Sequence, residues 1–341
     1  MPLRVALIGF GLSGRYLQAP FLVANPKFHL HTVVTSGSTT PKEVYDWVNV
    51  SHDFDAVLAN PDIDLVSITT PNETHFDYAR RALQAGKHVL VEKPLTATAA
   101  EAGELIALAN AQNRVLSVYQ NRRFDGDFQT VRKVVENGWL GDLLSYEAHF
   151  DRYKPILNPK PWKETPGPGS GILYDLGAHL IDQALTLFGP PQDVAGEVFT
   201  QRQGSGIDDA FDVRLDYGRL KVRLRASLLV REPGPRYVLH GTKGSFLKPD
   251  LDVQEDHLKA GLLPGQPGFG IEPESQHGLL HTEFGGVPFR GTLQTEPGNW
   301  GLLFDNLYGA IVEGKPLAVK PEEVIEQLRL IERVRATASG A

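Results

Sequence analysis

Apolar and polar positions are patterned in two different ways along this chain, and the change falls near residue 120. In the first stretch, unbroken apolar runs are separated by segments of helical spacing. Leu3 to Ile8 is such a run and ends in glycines. Phe28 to Thr35, Leu65 to Thr70, His88 to Val91 and Val115 to Tyr119 are four more. Short apolar runs bounded by turn formers predict strands buried on both faces. Thr74–Gln84 and Thr98–Asn110 read as helices, the second rich in Ala, Glu and Leu. Strands alternating with helices predict a doubly wound parallel sheet, because parallel neighbours need crossovers that then cover both faces.

After residue 120 the period changes. Phe128–Glu136 reads as a helix ended by Asn137 and Gly138. Leu144, Tyr146, Ala148 and Phe150 then alternate with polar neighbours, the pattern of a half-buried strand. Phe211, Val213 and Leu215 alternate with Asp212, Arg214 and Asp216, and Leu220, Val222 and Leu224 with Lys221, Arg223 and Arg225. A two-residue loop at Tyr217-Gly218 would set Asp216 opposite Arg219, Asp212 opposite Arg223 and Val213 beside Val222. The chain therefore divides into a domain over 1–120 and a second, α+β domain over 121–341. The second domain carries a large, mainly antiparallel open sheet with one apolar face. Its charged face is either solvated or meets another subunit. Two stretches, Pro155 to Gly171 and Leu262 to Gly301, are rich in Gly and Pro and read as long functional or mobile loops. Two helical segments, Leu302–Glu313 and Pro321–Arg335, close the chain.

Composition narrows the function classes. The 341 residues include no cysteine, which excludes disulfides, thiolate metal sites and a cysteine nucleophile. A net charge of −7 argues against a general nucleic-acid binder. No apolar stretch has the length of a membrane span, and the N-terminus runs straight into a glycine turn, so a cytoplasmic protein is expected.

The chemistry lies in three places. Gly9-Phe10-Gly11-Leu12-Ser13-Gly14 follows the first buried strand, where such glycines permit a tight turn, approach of a pyrophosphate and close packing of the next helix. At the end of the second strand stand Thr35 and Ser36, with no carboxylate to repel a 2′-phosphate, so NADP is expected over NAD. Glu92-Lys93-Pro94 directly follows the fourth strand, at the sheet end that faces ligands; a lysine there can stabilise charge on a reacting oxygen. Asp175, His179 and Asp182 fall at i, i+4 and i+7 of one helix, and histidine suits proton transfer near neutrality. No metal-binding motif accompanies them.

Together with Thr70-Pro71-Asn72-Glu73-Thr74-His75 and Gly171 to His179, these motifs resemble the glucose–fructose oxidoreductase/inositol dehydrogenase (Gfo/Idh/MocA) family over nearly the whole chain. The resemblance implies a Rossmann domain followed by a substrate-binding and oligomerisation domain. It implies Lys93, Asp175 and His179 as the catalytic set, with a Lys93–Pro94 bond that is often cis. It implies a cofactor site lined by Gly9, Phe10, Gly11, Leu12, Ser13, Gly14, Thr35, Ser36, Thr70, Pro71, Asn72, His75, Glu92, Lys93 and Trp162. Lys93, Asn121, Arg122, Tyr153, Asp175 and His179 are the expected substrate contacts. Asn121-Arg122-Arg123-Phe124-Asp125 and Gly234-Pro235-Arg236-Tyr237 look like the subgroup of NADP-dependent scyllo-inositol dehydrogenases, although Gly37 stands where that subgroup often has arginine. The implied activity is hydride transfer between a cyclic polyol or sugar and NADP, or NAD. The alternatives are reduction of another small sugar-derived or dicarbonyl compound, and a non-catalytic nucleotide sensor. A homodimer or homotetramer through the open sheet face is implied as well.

Overall fold

The apolar runs of the first stretch become strands because both of their faces find cover. The computed structural model describes residues 1–36 and 40–338, without the side chains of Pro161, Trp162 and Ala338. Strands β1 (Leu3–Ile8), β2 (Phe28–Val34), β3 (Asn49–Ser51), β4 (Leu65–Ile68), β5 (His88–Val91) and β6 (Leu116–Val118) form one parallel sheet in the order β3-β2-β1-β4-β5-β6. Helices α1 (Ala19–Ala24), α2 (Phe54–Ala59), α3 (His75–Gln84) and α4 (Ala99–Ala111) lie between strands in sequence. Val5, Ala6, Leu7, Leu65, Val66, Val89 and Leu90 are wholly buried. This is the doubly wound order whose switch point, between β1 and β4, is where ligands bind beyond the strand ends. Helix α4 starts where the sequence places it because Thr98 and Glu101 form a reciprocal capping box. Strand β3 and helix α2 were not read from the sequence. β3 has only three residues and no apolar run, and α2 is a short helix announced only by its cap, Asp53, which accepts from the Asp55 and Ala56 amides.

These strands belong to a compact unit formed by Met1–Asn121, Gln254–Phe269 and Asn299–Ile325. The later segments complete its core. Trp300 and Phe304 are fully buried, with ring centroids 6.0 and 5.7 Å from that of Phe21, and Tyr119 lies 5.7 Å from Phe304. The Trp300 amide donates to Gln254 Oε1 at 2.8 Å.

A second unit comprises Arg122–Val253, Gly270–Gly298 and Glu326–Ala341. Its eight strands are β7 (Leu143–His149), β8 (Asp193–Phe199), β9 (Ala210–Tyr217), β10 (Leu220–Ser227), β11 (Tyr237–Gly241), β12 (Ser245–Lys248), β13 (Gly278–Phe284) and β14 (Val287–Leu293). They are ordered β14-β13-β12-β11-β7-β10-β9-β8, and every pairing is antiparallel except β7 with β10. Helices α5 (Gly126–Glu136) and α6 (Ala178–Phe188) belong to the same unit. Tyr146, Ala148, Val213, Leu215, Val222 and Leu224 are buried, while Arg214, Lys221 and Arg225 stand out on the other face. The β9–β10 register is two residues from the expected one: Tyr217 pairs with Leu220, Asp216 with Lys221 and Arg214 with Arg223. Gly218 has a φ of +76° and takes the first loop position, the place for glycine in a type II′ hairpin. A shift of two keeps every side chain on its expected face. The segment 262–301, read as loops, contains the β13–β14 hairpin; its outer strand is largely exposed and shows no clean alternation. No helix among the described residues is long and apolar enough to cross a membrane.

Candidate active site

One group of candidate residues lies in the first unit, at the β1–β4 switch point. The Gly9 amide donates to Val34 O at 2.8 Å and Thr69 N–H to Ile8 O at 2.8 Å, so β1, β2 and β4 together hold the turn. Gly9 has a φ of +97°, and a Cβ there would lie 2.9 Å from Thr69 O. A Cβ on Gly14 would lie 2.3 Å from Gly9 O, whereas one on Gly11 would meet nothing within 4 Å. The turn is therefore tight on its inner side and open at Gly11. That is the cradle a pyrophosphate needs, and the residues present fit a dinucleotide. Phe10 is buried with its ring 6.4 Å from Tyr45, Leu12 is exposed, and a π-helical turn, Ser13–Gln18, follows. At the end of β2, Thr35 is half-buried, its amide bonded to Ser51 O at 3.1 Å, and Ser36 is exposed. Gly37 lies outside the described residues.

Further motif positions lie near the ends of β4 and β5. Thr70 Oγ1 and Thr74 Oγ1 lie 2.6 Å apart, and Pro71 and Asn72 lead into a short 3₁₀ turn. His75 is fully buried: its Nδ1 lies 2.7 Å from Pro94 O and its Nε2 2.9 Å from Thr70 O. The ring thus sits between two backbone carbonyls, a neutral imidazole donating its one N–H to one of them, and the residue shapes the site through Thr70 and Pro94. Burial pushes the ring's pKa down, against the pull of those two carbonyls. Glu92 is likewise turned inward, accepting from Ser13 Oγ, from Gln18 Nε2 at 3.0 Å and from the Lys93 amide at 3.1 Å. Burial raises its carboxyl pKa, while Ser13, the Lys93 charge and Gln18 oppose the rise. The Lys93–Pro94 bond is cis, and Lys93 is half-buried at this strand end.

A separate group of candidate residues lies in the second unit, before and within α6. A π-helical turn, Leu173–Gly177, runs into this helix. Gly171, at φ +94°, opens it; a Cβ there would fall 1.9 Å from Asp208 Oδ1. Asp208 Oδ2 accepts the Leu173 amide at 2.9 Å, and Arg335 donates to Asp208 and to Ser170 O. Asp175 is exposed, His179 is buried, and the buried Gln327 carboxamide donates to the carbonyl of Ala178 just ahead of the histidine. Asp182 does not join them as a free carboxylate. It is buried in a two-bond pair with Arg123, both contacts at 2.7 Å. The π-turn ends at Gly177, so it alters the position of Asp175 on the helix, whereas His179 and Asp182 keep α-helical spacing and Asp182 is taken up by Arg123.

Asn121 is buried in the first unit. The Arg122 guanidinium pairs with Asp125 at 3.2 Å and lies 5.0 Å over the Phe150 ring. Tyr153 is exposed, its hydroxyl accepting from Arg231 at 2.6 Å. The Trp162 side chain lies outside the described residues. Gln18 and Asp208 were missed. Gln18 follows an apolar residue in an unremarked helical stretch, and Asp208 sits in a loop, so neither carries a local signal.

Comparison with known proteins agrees with this layout. Residues 3–120 match the model of an oxidoreductase family with an NAD-binding Rossmann fold, and residues 128–247 match the GFO/IDH/MocA C-terminal domain. An uncharacterized oxidoreductase of Escherichia coli (strain K12), YhhX, is 41% identical over 98% of this chain and 96% of its own. The scyllo-inositol 2-dehydrogenase (NADP(+)) IolW of Bacillus subtilis (strain 168) is 37% identical over 97% of this chain and 92% of its own. The solved structure of yvaA from Bacillus subtilis, 36% identical, superposes with a TM-score of 0.95 over 99% of this chain and 96% of its own. A glycine turn open at Gly11, a lysine ending β5 and full-length kinship of this degree have one reading: the chain belongs to the GFO/IDH/MocA family of oxidoreductases.

Proposed function

We propose that the protein oxidises a ring hydroxyl of a cyclic polyol or sugar, with NADP preferred over NAD and scyllo-inositol as the first substrate to test. The observation that carries this reading is the chemical set of Lys93 at the ligand end of β5 and Asp175 and His179 around the start of α6. Gly9, Gly11 and Gly14 would seat the pyrophosphate, and Thr70, Pro71 and Asn72 the nicotinamide end. The nicotinamide, when bound, supplies the hydride acceptor. Lys93 hydrogen-bonds the reacting oxygen and stabilises its growing negative charge. His179 takes the hydroxyl proton, and Asp175 holds a substrate hydroxyl in place. The lack of a carboxylate at Thr35 and Ser36 supports NADP, as does the cofactor in the printed name of IolW. The charged face of the second sheet is proposed as the interface of a homodimer or homotetramer.

Titration with NADP and NAD, then a panel of inositols, aldoses and dicarbonyls followed by absorbance of the reduced nicotinamide, tests the reading. His179→Ala should lower turnover by about 10²–10⁴-fold. Turnover of dicarbonyls with no polyol oxidised would replace the substrate class proposed here.

A further inference from the structure

We propose that Glu92 is a positioning residue that ties the cofactor loop to the lysine, and that the Ser13 hydroxyl serves the cofactor only through Glu92. The inference rests on the reading of Lys93 as the catalytic lysine and of the glycine turn as the pyrophosphate seat.

The Glu92 carboxylate has donors on both oxygens. Oε1 takes Ser13 Oγ–H and Gln18 Nε2–H, and Oε2 takes the Lys93 amide. Gln18 is itself fixed, its Oε1 accepting from Ser67 Oγ at 2.5 Å, with both residues fully buried. A serine hydroxyl has one proton to donate. Here that proton points to Glu92, so the side chain has no donor left for a phosphate oxygen. A half-buried carboxylate beside a pyrophosphate seat would also repel the ligand unless donors and a cation neutralise it. Ser13, Gln18, the Lys93 amide and the Lys93 ammonium perform that neutralisation. One side chain therefore fixes two things: where the turn after Gly11 begins, and the direction of the chain as it enters Lys93.

A double-mutant cycle on the full chain reads this directly, with Kd for NADPH from nicotinamide fluorescence and kcat at saturating cofactor. Ser13→Ala and Glu92→Gln should each raise Kd about 10-fold, the scale of one lost charge-assisted hydrogen bond. The double variant should bind no worse than Glu92→Gln alone. Ser13→Thr, which keeps the hydroxyl, should restore Kd to within about threefold of the parent. Glu92→Gln should also lower kcat on the order of 10-fold, an effect that loosening of the loop alone would not give. Additive losses in the double variant would mean that Ser13 touches the cofactor itself and would overturn the proposal. So would a Glu92→Gln protein with Kd and kcat unchanged. Should Glu92→Gln fail to fold, Ser13→Ala crossed with Glu92→Asp, which keeps the charge but withdraws the carboxylate from Ser13, reads the same coupling by the same criterion. A parent protein that binds NADPH yet oxidises no polyol would break the substrate reading and leave this cycle intact, because Kd needs no turnover.

Discussion

The two units place their functional groups by different means. In the first, the ion pairs Arg4 with Asp62, Lys27 with Asp305 and Arg80 with Asp77 are on the surface. Its strands are apolar inside, and its polar groups Ser13, Gln18, Ser67, His75 and Glu92 are held by turn chemistry and hydrogen bonds at strand ends. In the second, charge pairs run through the interior: Arg123 with Asp182, Arg236 with Asp127, Lys248 with Glu272, Arg202 with Asp209, each buried on both partners. Exposed pairs contribute about 0–1 kcal/mol, whereas breaking a buried one leaves an uncompensated charge and costs about 3–5 kcal/mol. The second unit therefore depends on buried ion pairs between distant segments to hold α6, and the first on turn geometry and a neutralised hydrogen-bonded cluster around Glu92 and Gln18.

The largest expected effect tests that contrast. Asp182→Ala should lower unfolding stability by about 3–5 kcal/mol, and Asp305→Ala by no more than about 1 kcal/mol. Equal losses in chemical denaturation would erase the distinction. Next come two glycines of one turn. Gly14→Ala drives a Cβ into the Gly9 carbonyl and should cost about 1–3 kcal/mol of stability as well as cofactor binding. Gly11→Ala has open space, so its melting temperature should match the parent while NADPH binding is lost. A Gly11→Ala protein that binds normally would remove the pyrophosphate from that position. Thr98→Ala, which deletes the α4 cap, should cost about 1 kcal/mol and leave the second unit's chemistry untouched. The smallest effect is set by His88, whose Nδ1 accepts the Val115 amide and whose pKa burial and Arg114 lower to about 4 from the ordinary 6.5. Between those values the unfolded chain binds a proton that the folded chain refuses, so stability should decline as pH falls through this window. A His88→Gln variant should show a shallower acid slope in pH-dependent denaturation.

What could be read in advance follows the same divide. β1, β2, β4, β5 and β6, and helices α3 and α4, announce themselves because a parallel strand covered on both faces is a run of apolar letters, and because Thr98 and Glu101 mark a helix start three residues apart. Lys93, Asp175 and His179 were legible as motifs. What Ser13, Glu92 and His75 actually touch was not, since their partners are Gln18, Thr70 and Pro94, brought together only by the sheet. The hairpin register slipped because cross-strand charge matching was given more weight than the backbone demand of Gly218. Asp182 looked like a third member of the row because helical spacing gives no hint of an arginine 59 residues earlier that pairs with it.

Trp300 and Phe304 close the core around Phe21, so the gene segment encoding the nucleotide-binding unit is not one contiguous block. A chimera spliced once after residue 121 would strand Phe21 without its aromatic neighbours. Cassette exchange with a relative has to respect joints at 121/122, 253/254, 269/270, 298/299 and 325/326. Recombination among such genes should therefore favour wholesale inheritance over the shuffling of halves.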